Sequence, residues 1–184
     1  MKLLFIKNLL IACLLPLSCY AASVEKSYEQ KALEIFDSAC VKNHYGEKGL
    51  EGITNTFGGK EIEQEKLKFD PVLNSLGGRA FIIPYLNEKF IVAHAAGGGC
   101  SLIVEKFNST AIHKIITQNY PLEHVHTENS GIQIIDTYLV RSESFLKGSA
   151  ILISYGKPES GFKFGILGFV NKEALEAAKK KKKN

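Results

Sequence analysis

The chain has 184 residues, of which 45% are hydrophobic, 23% charged and 10% aromatic, a composition that excludes a disordered, collagen-like or repeat-dominated protein. Its formal charge of +4 falls to +2 without Lys2 and Lys7, and to −3 without Lys179 to Lys183 as well. The positive charge is therefore terminal, which argues against a basic nucleic-acid-binding face.

Residues 1–21 read as a signal peptide. Lys2 and Lys7 give a positive start, Leu9 to Leu17 is apolar and uncharged, Pro16 breaks the run, and small residues follow at Cys19, Ala21 and Ala22. Cleavage is expected after Ala21. The apolar run is shorter than the roughly 20 residues of a comfortable membrane span, so an uncleaved anchor is the lesser alternative. Lipidation at Cys19 within Leu17-Ser18-Cys19 is another, although Pro16 stands where a branched aliphatic residue is expected. No later stretch is suited to cross a bilayer with helices. The expectation is a periplasmic or secreted chain: one domain over residues 22–178, then a lysine-rich tail over 179–184.

Cys13 and Cys19 leave with the leader, and Cys40 and Cys100 remain. Two cysteines in an exported chain predict one disulfide between them.

From Val24 to His44 the spacing of Tyr28, Ala32, Phe36, Ala39 and Cys40 predicts an amphipathic helix with Cys40 on or beside its buried stripe, ended by Gly46 and Gly49. A short helix at Ile53–Phe57 and a charged helix at Glu61–Phe69 are expected on either side of Gly58-Gly59. Beyond Gly78 the texture becomes β-rich. Arg79–Tyr85 and Lys89–Ala96 form a hairpin about Leu86-Asn87-Glu88, and Gly97-Gly98-Gly99 turns the chain into a strand at Cys100–Lys106. Asn108-Ser109-Thr110 offers a cap for a helix over Ala111–Asn119. Strands at Leu122–Glu128, Gly131–Arg141, Ser149–Tyr155 and Phe162–Val170 follow, then a helix from Asn171 into the tail. Short connections favour antiparallel pairing. The predicted fold is α+β, with N-terminal helices packed on a mainly antiparallel sheet of about seven strands.

Several catalytic signatures are missing. No phosphate loop ends in Gly-Lys-Ser/Thr, and Leu102 stands where a dinucleotide fingerprint after Gly97 needs glycine. C-x-x-C, H-E-x-x-H and G-x-S-x-G do not occur. His124 and His126 alternate on a predicted strand, so their side chains are expected on one face, where they could begin a Zn²⁺ or Cu²⁺ site with Glu128. The plainer reading is a solvated strand. An unpaired Cys40 or Cys100 with His94 as base would make a thiol enzyme; pairing in an oxidising compartment argues against it. Asp136, Ser154 and a histidine could compose a triad, though no spacing argues for one. The late aromatics Tyr138, Phe145, Tyr155, Phe162, Phe164 and Phe169 are expected in the core rather than on a ligand platform. The triple glycine reads as a turn that lets Cys100 meet Cys40, with an anion cradle as the functional alternative.

At Asp37-Ser38-Ala39-Cys40 and Gly97-Gly98-Gly99-Cys100-Ser101 the chain resembles small exported bacterial proteins of unknown function. The likeness covers Tyr28 to Lys106. It implies one disulfide-tied α+β domain and brings no activity, cofactor or catalytic residue. The functional expectation is an exported, disulfide-stabilised binding or interaction protein without catalysis or cofactor. Its partner is an unspecified protein or small molecule. The alternatives are a metal-binding protein using His124 and His126 and a cysteine-dependent enzyme.

Overall fold

A computed structural model describes residues 25–43, 46–63, 65, 77–142, 145–161 and 164–181. The expected signal peptide with Cys19, Phe162 and the last three residues of the lysine tail lie outside the described residues.

Helix α1 spans Tyr28–Phe36. Ser27 starts it: its hydroxyl accepts from the Gln30 amide at 3.2 Å, and the Gln30 side chain accepts from the Ser27 amide at 2.9 Å. That reciprocal cap satisfies two backbone donors that a helix start otherwise leaves open. The helix widens into a π turn over Asp37–Val41, closed by a bond from the Lys42 amide to the Asp37 carbonyl at 2.8 Å. Helix α2 occupies Gly46–Thr56. Gly46 thus opens a helix where the sequence suggested an end, its φ of +58° making the turn into it, and Gly49 lies inside.

The described strands number eight rather than about seven. They are β1 Lys60–Glu61, β2 Gly78–Tyr85, β3 Glu88–Ala95, β4 Gly99–Val104, β5 Leu122–Ser130, β6 Gln133–Val140, β7 Ala150–Gly156 and β8 Gly165–Val170. The extra strand is β1, which pairs Lys60 with Ile82 and Glu61 with Phe81 where a charged helix was expected to begin. Two residues carry no readable period, so pairing with β2 alone defines this strand. Helix α3 (Ser109–Asn119) joins β4 to β5, and α4 (Lys172–Lys181) follows β8. As expected, Asn108 caps α3, its Oδ1 accepting from the Ala111 amide at 3.0 Å.

The sheet order is β1-β2-β3-β4-β8-β7-β6-β5, antiparallel throughout. Two meanders therefore meet at the central β4–β8 pair. The chain must travel from mid-sheet to the far edge between β4 and β5, and α3 makes that crossing. Phe36, Ile35 and Leu50 from α1 and α2, Ile112 and Ile116 from α3, and Phe90, Leu102, Ile151 and Leu167 from the sheet form one buried cluster. The Cys40–Cys100 disulfide links the π turn to β4, with Cα atoms 5.3 Å apart.

Gly165 on β8 is a close-approach position. A Cβ there would fall 2.0 Å from the Phe107 ring, and that ring stacks on Tyr155 with centroids 5.9 Å apart. Gly165→Ala is expected to displace Phe107 and cost about 1–3 kcal/mol, as overpacking does. Urea unfolding checks the cost, and near-ultraviolet circular dichroism checks the ring movement.

Candidate functional site

The sulfur chemistry is settled by the bridge. Cys40 and Cys100 are 4% and 6% exposed and bonded to each other, so neither presents the thiolate that nucleophilic catalysis requires. His94 does lie beside Cys100, paired with it across β3 and β4. Its imidazole is held below the usual histidine range by burial, against a smaller opposing pull from Glu47.

His124 and His126 do not share a face. The register of β5 shifts between them, so His124 pairs with Tyr138 and His126 with Thr137, adjacent residues of β6. Adjacent residues on a strand point to opposite sides, and Val125 is the extra residue of the bulge. One inserted residue thereby cancels the alternation on which the proposed metal pair rested. Among the described residues, no group of three or more His, Cys, Asp or Glu side chains gathers as a metal site. Asp136 and Ser154 are likewise separated. Asp136 pairs with Ile153 and Ser154 with Ile135, which puts the two side chains on opposite faces, and the Ser154 hydroxyl donates to Gln133 at 3.3 Å.

Asp136 instead gathers a network under α3. Its Oδ1 accepts from the Thr127 hydroxyl at 2.5 Å, and its Oδ2 accepts from Tyr155 at 3.1 Å and from His113 Nε2 at 2.9 Å. Burial acts to raise the Asp136 pKa, but the bonds from Thr127, His113 and Tyr155 outweigh it and hold the carboxyl below its ordinary value. Burial, followed by the bond to Asp136, pushes Tyr155 up to about 12. His113 Nδ1 faces the Ser109 carbonyl at 2.7 Å. Both ring nitrogens of His113 are thus engaged, one by the Ser109 carbonyl and the other by the Asp136 carboxylate. His124 donates to Thr127 at 2.9 Å from the rim. The network clamps α3 onto β5, β6 and β7.

The accommodating surface lies elsewhere. A cleft of about 770 Å³ runs between α1, the end of α3 and the segment after β6. The charged side chains and the phenol in its walls are already paired: Lys26 with Glu34 at 2.7 Å, Lys42 with Asp37, and Tyr120 donating to Asp37 at 2.8 Å. Burial, then the bond to Asp37, raises Tyr120 well above the usual phenol range. At the rim Phe145 is 65% exposed. A second recess of about 430 Å³, lined by His94, Ser149 and Asn171, shares Val41, Phe145 and Leu146 with the cleft. The two therefore adjoin beneath one segment.

No known protein family, curated protein or solved structure matches this chain.

Two aromatics expected in the core are at the surface: Phe145 and, at 38% exposure, Phe164. Tyr138, Tyr155 and Phe169 do belong to the core or pack against it. Phe145 is the cleft residue that sequence reasoning misplaced. Its signal was available, because Arg141 to Gly148 is a polar stretch between two strands, where an aromatic has no alternating pattern to place it inside.

Proposed function

We propose that this chain is an exported, disulfide-stabilised binding protein without catalytic activity, and that its ligand lies in the cleft beneath Phe145. The bridge and the lack of any described helix able to cross a membrane agree with an extracytoplasmic location. The observation that carries the reading is the cleft itself, about 770 Å³ of open space with a solvent-exposed aromatic at its rim and charged groups and a phenol fixed by mutual pairing. Pre-ordered walls and a large aromatic contact lower the ordering cost of binding. The groups most suited to chemistry are committed to structure: the sulfurs to each other, His113 to two acceptors, Ser154 to the opposite face.

Lys26 and Lys42 are balanced by Glu34 and Asp37, so the cleft favours a ligand without large net charge. The test is a ¹⁵N–¹H spectrum of the oxidised protein against a panel of uncharged peptides and fragments. Hits are expected to move the amides of Asp37, Asn119 and Phe145 together, and Phe145→Ala to weaken them about tenfold, the effect of truncating one anchoring side chain. Hits that map to the Asp136 network instead, or turnover of ester, amide or phosphoester probes, would overturn the reading.

A further inference from the structure

The two faces of the sheet are apolar in different ways. On one face Phe81, Phe90, Leu102, Ile153 and Leu167 are buried in the cluster they share with the helices. Side chains alternate along a strand, so the residues next to these point to the other face. There Ile82, Ile91, Ile103 and Ile166 are successive register partners, and Ile166 leads through Ser154 to Ile135. The row ends on Lys60 in β1 and on Glu128 in β5. Ile82 is 38% exposed, and the other four isoleucines are half-buried. None of the five belongs to the helix-side cluster. Among the described residues, Ile62 packs on Ala80, Ala93 and Ala95 at one end of this face.

The extent of the surface bears on what covers it. The row from Ile82 to Ile135 crosses six strands, of which β4 and β8 have 6 residues each. Strands about 4.8 Å apart with a rise of about 3.3 Å per residue give a face of roughly 600 Å². Exposed apolar patches of that size mark interaction surfaces. Contributed by two copies, it comes to about 1,200 Å², where stable protein interfaces begin.

The ends of the row select a second copy as the occupant. Lys60 and Glu128 are exposed, and among the described residues neither has an ion pair. The middle of the row is the junction of β4 and β8, where Ile103 faces Ile166. A two-fold axis parallel to the strands at that junction lays one row over the other in reverse order. Lys60 then meets Glu128 of the second copy at both ends, Ile82 meets Ile135, and Ile103 meets Ile166. The same patch serves both chains, as a closed two-fold contact requires, and the strands stay near-aligned, as stacked sheets prefer. An axis across the strands would set Lys60 over Lys60 and Glu128 over Glu128, a like-charge arrangement that is penalised.

We propose that the chain forms a two-fold dimer through the sheet face opposite the helices, with Lys60–Glu128 pairs closing both ends. The cleft lies between α1 and α3 on the other side of the sheet, so this inference does not depend on the cleft being a ligand site. Sedimentation equilibrium of the oxidised protein is expected to give the mass of two chains. Lys60→Glu and Glu128→Lys each place like charges together at both ends and should raise the dissociation constant about tenfold. The double variant exchanges the charges and should return the constant close to the wild-type value. Both side chains are exposed, so the fold is kept, which circular dichroism checks. A mass of one chain at the highest soluble concentration overturns the proposal, whether another part of the chain or a different protein covers the face. A dimer indifferent to both single reversals overturns it too, as does one that the double variant fails to restore.

Discussion

Replacing Cys40 and Cys100 together by alanine, or reducing their bridge, is expected to remove about 4 kcal/mol of stability, the loop-entropy value for a closed loop of this length. The bridge spans 60 residues of sequence and joins the end of the first helix to the central strand β4. Cutting it lets the unfolded chain separate α1 from the sheet. For a domain of this size the expected drop in Tm is roughly 10 °C. Because domains are usually stable by only about 5–15 kcal/mol, the reduced protein should be partly unfolded at modest urea concentrations. Thermal and urea unfolding with and without reductant check this. A loss below about 1 kcal/mol would mean that the packing of Phe36, Ala39 and Leu102 holds the helix on the sheet unaided.

Asp136→Ala is expected to cost about 2–3 kcal/mol, the order for removing a buried carboxylate to which three side chains donate hydrogen bonds. The carboxylate is 7% exposed and accepts from Thr127, His113 and Tyr155. Truncation leaves those donors facing an empty space and unlocks α3 from β6. The sign of the pH effect follows from the folded pKa lying below the unfolded one. An unfolded aspartate titrates near 3.9, so the contribution of Asp136 is fully present above about pH 4 and is lost as pH falls through its folded value. Acid unfolding of the wild type should steepen there, and Asp136→Asn should flatten that limb while being less stable at pH 7. A variant that unfolds at the same urea concentration as wild type would show that the network does not hold α3.

Much of this fold was legible because its signals are local. Asn108 caps α3, and Leu86-Asn87 make the β2–β3 turn with positive φ at both residues, a hairpin conformation set by neighbouring residues alone. Cysteine counting found the bridge. What failed was information held between strands. Nothing in His124-Val125-His126 announces a bulge, because the extra residue is defined by its partner strand. The Asp136 network was invisible for the same reason: it unites α3, β5, β6 and β7 through residues spread from His113 to Tyr155. Alternation cannot assign a loop aromatic, so Phe145 was placed inside. The cleft, made by three separate segments, had no sequence signature.

Under the proposed function the chain is exported and its two sulfurs are structural, so that it binds rather than reacts. Intact mass of the natively exported protein, alkylated before and after reduction, tests it most directly. The predicted result is a chain beginning at Ala22 that takes no label until reduced and two labels afterwards. Two labelled thiols in the native protein would contradict the account and bring the cysteine-dependent enzyme forward, with His94 beside Cys100 as its base.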